Sequence, residues 1–203
     1  YVCYGDILCP VQNGEPSLLC GHDCYSSLMY SCSNGTLAQL PYATYPFQMI
    51  ADNPSQTFHG QVINACGQQF YIGGSACTYC PVLSGLDCAA YLNITVIFGG
   101  YLLANVPGGQ ELFFYQDGAL GFTQAHSIFV PSGATFGGVD GYLNGGIFGF
   151  PAGNGWYACS QGTAGWQLYQ AFEGSNVSST CTPLSIKAKN MGPNESLYAW
   201  QYT

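Results

Sequence analysis

The residues able to carry chemistry in this chain are eleven cysteines, three histidines and ten carboxylates, set against only Lys187 and Lys189 as cations. Cysteines ligate metals, act as nucleophiles or close disulfides. Zinc-binding cysteines usually sit in charged sequence, and charged residues here are only 6% of the chain, so no metal site is expected. Cys77-Thr-Tyr-Cys80 has redox spacing, but no strand-to-helix context follows it, and Cys88 close behind points to a small disulfide loop. Disulfides are the expected use, and the odd number leaves at least one cysteine free or bridged to another chain. Loop proximity pairs Cys66 with Cys77, Cys80 with Cys88 and Cys159 with Cys181. Cys3, Cys9, Cys20, Cys24 and Cys32 form a denser group, and the odd member is expected there.

His126, in Thr-Gln-Ala-His-Ser, is the best general-base candidate, with Ser127 or Ser132 as nucleophile. No Gly-x-Ser-x-Gly elbow accompanies it, and a hydrogen-bonded structural role explains it better. His22 lies between Cys20 and Cys24, and His59 precedes a strand. A glycosidase needs two carboxylates facing each other across a cleft. Glu111, Asp117, Asp140 and Glu173 are scattered singly, and Asp117 and Asp140 each precede a glycine, where a turn role suffices. No catalytic residue and no cofactor is expected.

Other features bear on compartment and partner. Asn34-Gly-Thr, Asn93-Ile-Thr, Asn176-Val-Ser and Asn194-Glu-Ser are N-glycosylation sequons, whereas Asn53-Pro-Ser is disqualified by its proline. Together with the cysteines they predict an extracellular protein, its presecretory segment already removed. No run reaches the ~18 apolar residues of a membrane span; residues 91–106 come closest, interrupted by Asn93, Thr95, Gly99, Gly100 and Asn105. A net charge of −8 argues against nucleic acid and anionic lipid, both of which need clustered Lys and Arg. A neutral polar partner such as polysaccharide suits this surface best.

The elements that must position these residues read as β. Residues 1–36 are a cysteine-dense module, stapled in place of a conventional core. Residues 37–46 carry two prolines and no cysteine and read as a linker. Residues 47–203 alternate short Val-, Ile-, Phe- and Tyr-rich runs with glycine turns, as in Gln61-Val-Ile-Asn, Gln69-Phe-Tyr-Ile, Asn93-Ile-Thr-Val-Ile-Phe, Glu111-Leu-Phe-Phe-Tyr and Trp166-Gln-Leu-Tyr-Gln. Asp117-Gly118 is a hairpin-turn signal. The expected fold is all-β, a sandwich or compact barrel with a β-trefoil as the alternative, preceded by the small disulfide-rich module. Within the module, Tyr1-Val-Cys3 through Leu8-Cys9 aligns with Tyr30-Ser-Cys32 through Leu37-Ala38, so the first copy of a repeat starts midway. That start suggests a precursor extending upstream or processed there.

The string Leu19-Cys-Gly-His-Asp-Cys-Tyr-Ser-Ser-Leu-Met-Tyr-Ser-Cys-Ser-Asn-Gly-Thr-Leu37 resembles the small cysteine-rich carbohydrate-binding module of fungal endo-β-1,3-glucanases and wall proteins. Leu8-Cys-Pro-Val-x-Asn-Gly matches that family's tandem form, and the truncated first copy is a departure from it. Residues 58–202 resemble fungal phialide-associated and IgE-binding cell-wall proteins, through Asn64-Ala-Cys-Gly-Gln-Gln-Phe-Tyr-Ile-Gly-Gly, Thr78-Tyr-Cys-Pro, Val106-Pro-Gly-Gly-Gln, Gly118-Ala-Leu-Gly-Phe-Thr-Gln-Ala-His126 and Ala199-Trp-Gln-Tyr. The resemblance implies secretion to the cell wall or extracellular matrix and no defined activity.

Sugar binding needs flat aromatic faces to pack on pyranose rings and polar groups to bond hydroxyls. Tyr25 and Tyr30, with Tyr4 as their counterpart in the first copy and Asp23 as a polar partner, are the candidate residues; covering disulfides is the competing use of these tyrosines. Trp156, Trp166 and Trp200 read as packing residues. The expected function is non-catalytic binding of β-glucan-type wall polysaccharide. Self-association or cross-linking through an intermolecular disulfide is the structural alternative, and wall-glucan hydrolysis a weaker third.

Overall fold

Asn34-Gly35 joins Ser33 to Thr36, and both residues take positive φ, 51° and 76°, as a tight hairpin turn requires. The turn folds Tyr30–Ser33 back onto Thr36–Gln39 with Cys32 opposite Leu37. Val2–Tyr4 pairs with Ile7–Cys9 in the same way and sets Cys3 opposite Leu8. The sequence repeat is thus one hairpin used twice in one register. Leu18–Cys20 with Asp23–Tyr25, and Val11–Gln12 with Glu15–Pro16, complete the module. Because the last hairpin runs to Gln39, the segment expected as a linker from residue 37 opens with three strand residues.

The computed structural model describes residues 1–12, 15–41, 45–142, 146–149, 155–192 and 198–203. Among the described residues up to 41, only Cys9, Ser17 and Cys20 are buried, so the module's interior is largely sulfur. In chain order, disulfide Cys9–Cys24 ties the first hairpin to the third, and Cys20–Cys32 ties the third to the fourth. In the chain-entropy view, closing loops of 15 and 12 residues restricts the unfolded chain by about 3 kcal/mol each. Cys3 is exposed and unbridged, although its counterpart in the repeat, Cys32, is bridged to Cys20.

Among the described residues beyond 46 the regular structure is nearly all strand, in the all-β class expected, interrupted by two short 3-10 turns at Cys88–Ala90 and Gly162–Ala164. One sheet path runs Gln69–Ile72, Leu120–Phe122, Gln110–Phe114, Tyr101–Leu102, Ile97–Phe98, Phe47–Asp52, Thr182–Asn190, Gly155–Ser160 and Trp166–Ala171. It returns to its start because Tyr71 and Ile72 pair with Gln167 and Trp166. The closure is not a clean barrel. Gln69↔Gly121 and Ile97↔Phe47 are joints of a single residue pair, whereas Phe47–Asp52 meets Thr182–Asn190 over six pairs. The enclosed core contains Phe47, Met49, Phe70, Leu112, Phe114, Phe122, Trp156, Leu168 and Ile186, all buried. Disulfides Cys66–Cys77, Cys80–Cys88 and Cys159–Cys181 staple its connections.

The run Asn93–Phe98, expected as one strand, is strand only at Ile97–Phe98. Upstream, its polar groups bond elsewhere: Thr95 Oγ1 accepts from Ala65 N–H at 2.8 Å, Ile94 C=O accepts from the Tyr202 hydroxyl at 2.7 Å, and Val96 N–H donates to that hydroxyl at 3.3 Å. Tyr202 lies on the terminal strand Gln201–Tyr202, paired with Thr78–Tyr79. Gln110, 0% exposed, grips the same residue: its Oε1 accepts from Tyr202 N–H at 2.7 Å, and its Nε2 donates to Tyr202 C=O and Thr123 C=O, both at 3.0 Å.

Asp52 is 2% exposed and lies between two partners, the Lys187 ammonium at Oδ2 and the His59 imidazole, whose Nδ1 is 3.1 Å from Oδ1. Pairing of this kind is what allows a carboxylate into a core.

Two stability predictions follow from these contacts. Gln110→Leu strands the Tyr202 N–H and two carbonyls without partners, and is expected to lower stability by about 3 kcal/mol in urea unfolding. Burial first, and the nearby Tyr198 in smaller measure, push the Tyr202 phenol well above the ordinary tyrosine value of 10.0, against a lowering hydrogen bond at Val96. Burial and then the Asp117 carboxylate also raise Tyr115 and Tyr169. A raised folded value means the unfolded phenol ionises first, so the stabilisation is complete below pH 10 and is lost as pH climbs towards the folded value. Stability should therefore fall with pH above about 10, less steeply in Tyr202→Phe, as read from urea midpoints across an alkaline series.

Candidate functional site

The four module residues singled out from sequence fall on neighbouring hairpins. Tyr4 is half-buried and its hydroxyl donates to Ser17 C=O at 3.3 Å. Ser17 precedes Leu18, which pairs with Tyr25, and Cys9–Cys24 ties the two hairpins beside that pair. Tyr4 and Tyr25 are therefore brought to one junction. Tyr30 begins the following hairpin opposite Gln39, and Cys20–Cys32 holds it to the hairpin of Tyr25. Tyr25 and Tyr30 are half-buried, and neither hydroxyl has a protein hydrogen bond among the described residues. Asp23 is exposed at the head of its strand, opposite Cys20.

The module sits against the larger body. Gly146 N–H donates to Leu28 C=O at 2.6 Å, and Gln39 Nε2 donates to the Tyr142 hydroxyl at 3.0 Å. The approach depends on a missing side chain, since a Cβ on Gly146 would stand 2.9 Å from Leu28 Cβ.

The candidate catalytic groups are dispersed, with one exception. His126 is exposed in a turn at φ 62°. Ser127 Oγ accepts from Phe129 N–H, and no hydrogen bond among the described residues links it or Ser132 to His126. Asp117 has the turn role expected of it, accepting from Ala119 N–H at 3.0 Å. Asp140 does not: it lies in strand Val139–Gly141, opposite Phe148, where pairing with Ile147–Gly149 extends the backbone. There it lines a groove of about 440 Å³ together with Glu111, Tyr101 and Phe136. Sequence reasoning missed this juxtaposition, although the doublets Gly99-Gly100 and Gly137-Gly138 marked where backbones approach closely. Glu173 is exposed, outside that lining.

The tryptophans pack as expected. Trp156 is buried with its indole N–H donating to Ile147 C=O, Trp166 meets Phe58 edge-on, and Trp200 meets Tyr91 edge-on. Asn34, Asn93 and Asn176 are exposed, and Asn93 Oδ1 accepts from Thr78 Oγ1 at 2.8 Å. Asn194 lies outside the described residues. Among those described, no group of three His, Cys, Asp or Glu could hold a metal, and no helix is long and apolar enough to cross a membrane.

A family model described as "PhiA-like secreted protein" matches residues 47–203, well over half of the chain. The chain belongs to the PhiA-like secreted proteins. A second model, described as "Carbohydrate binding", matches residues 1–37, so this PhiA-like protein carries a carbohydrate-binding module at its N-terminal end. A curated relative from Arthroderma benhamiae, printed as "Uncharacterized secreted protein", is 46% identical over 77 residues. That alignment covers 37% of this chain and 39% of the relative. No solved structure matches the chain. The PhiA-like protein is secreted, and neither matched family is a catalytic one.

Proposed function

We propose that this PhiA-like protein is a non-catalytic component of the fungal cell wall or extracellular matrix, and that its N-terminal module, residues 1–36, binds β-glucan-type polysaccharide. The match of that module to a carbohydrate-binding family carries the reading. The tyrosines support it: Tyr25 and Tyr30 keep part of their rings exposed and their hydroxyls free of protein hydrogen bonds among the described residues. Tyr4 and Tyr25 meet at one junction, and Asp23 lies two residues from Tyr25 on the same strand. Aromatic faces and a few polar groups are what a neutral pyranose needs. The charge supports it as well, because Lys187 is engaged by Asp52 and the chain has little else to attract an anion.

The test is a pull-down of the whole chain on insoluble β-1,3-glucan, chitin and cellulose. Retention on β-1,3-glucan is expected. Tyr25→Ala and Tyr30→Ala should each remove about 1 kcal/mol of binding, a ~5-fold loss. Absence of retention on all three polymers would overturn the reading.

A second reading, covalent assembly, is favoured by one observation, the exposed and unbridged Cys3. Non-reducing electrophoresis should then show a dimer that disappears on reduction and in Cys3→Ser. A monomer under both conditions counts against it.

A further inference from the structure

We propose that the groove formed by Tyr101, Glu111, Phe136 and Asp140 on the large domain is a second saccharide-binding site, distinct from the N-terminal module. The choice of a neutral saccharide as ligand rests on the function proposed above; the site itself rests on the following geometry.

Tyr101 lies directly opposite Glu111 in the sheet, and Phe136 lies directly opposite Phe113. Glu111 and Phe113 are two residues apart on one strand, so all four side chains stand on the same face. Leu112 and Phe114 between and beyond them fill the core, which makes that face the outer one. Tyr101 and Phe136 remain 47% and 44% exposed, and Phe98, opposite Tyr101, is exposed too. Val139 packs into the core, so its neighbour Asp140 turns away from it, and both Asp140 and Val139 border the groove.

Between the aromatic walls the floor is backbone. Gly99-Gly100 turns with both φ positive, at 58° and 85°, and Gly138 lies so close that a Cβ on it would stand 2.5 Å from Gly100 Cα. No side chain can rise there, so the cleft stays open between Tyr101 and Phe136. Two exposed rings can pack on the apolar faces of a sugar while two carboxylates accept from its hydroxyls. The groove's lining contains no cation, so an anionic ligand would meet only repulsion.

The groove is also tied to the module. The strand Val139–Gly141, which supplies Asp140, is paired with Ile147–Gly149, and the adjoining Tyr142 and Gly146 are the residues that touch Gln39 and Leu28. Two sugar sites fixed on one support would act on a polymer together. Linkage of this kind raises avidity by roughly 10²–10⁴-fold over either site alone.

The experiment titrates the isotope-labelled full chain with a β-1,3-linked glucose hexasaccharide and follows backbone amide resonances. Saturable shifts are expected at Gly99, Gly100, Gly137 and Gly138, separately from those at Gly21 and Gly35 in the module. The double variant Tyr101→Ala/Phe136→Ala should lose the groove shifts and keep the module shifts, with unchanged spectral dispersion elsewhere reporting that it folds. Tyr25→Ala/Tyr30→Ala should do the reverse. Groove amides that stay still while Gly21 and Gly35 move overturn this proposal and leave the module reading intact; groove shifts without module shifts uphold it and overturn the other. Silence at both, with this hexasaccharide and with cellulose and N-acetylglucosamine oligomers, overturns both. Groove shifts with calcium chloride but with no saccharide identify a cation site and overturn the proposal. Shortened hexasaccharide products that vanish in Glu111→Gln overturn it in favour of a hydrolase.

Discussion

The Gln110 carboxamide sits in the middle of the domain, out of reach of water, and uses both its N–H groups and its oxygen on backbone. A buried amide left unpaired would cost more than its bonds contribute, so the surrounding chain must present those partners in one arrangement. Two segments satisfy this demand for the strand Gln110–Phe114: Thr123 just beyond the next strand, and Tyr202 more than ninety positions on. The Tyr202 hydroxyl extends the constraint to Ile94 and Val96, which lead into the next strands of the path. The same strand then carries Glu111 on its outer face, so the constraint that locks the core also fixes the register of the groove above it.

Two kinds of interior coexist in the chain. The large domain encloses a conventional apolar core and admits an ion pair, Asp52 with Lys187, only where the His59 imidazole also contacts the carboxylate and the lysine stays partly exposed. The module has too few residues to exclude water that way, and its described buried residues are two cysteines and a serine. Its tyrosines consequently remain partly open. A unit held by sulfur can leave aromatic surface available, whereas a unit held by apolar packing must bury most of it.

Compartment and class were legible because they depend on composition and short-range pattern. Cysteine number, sequons and the scarcity of cations needed no neighbours to interpret. The strand runs at Gln69–Ile72, Gln110–Phe114 and Trp166–Ala171 were visible as apolar runs between glycine turns, and the repeat around Cys3 and Cys32 was visible as a string before its shared register was seen. Asn93–Val96 misled because a β-rich composition says nothing about hydrogen bonds taken by a residue more than a hundred positions away.

Sequence alone, then, determined that this is a secreted, disulfide-stapled β protein with a cysteine-dense module at one end, since each of those properties comes from residue types and local spacing. Only the tertiary structure decided which strands are neighbours, and with that which side chains share a face. Glu111 and Asp140 read as isolated acids until cross-strand register set them, with Tyr101 and Phe136, around one glycine floor. The physical reason is that alternation along a strand gives each side chain a side of the sheet, while its partners there depend on pairing between segments that the chain brings together only on folding.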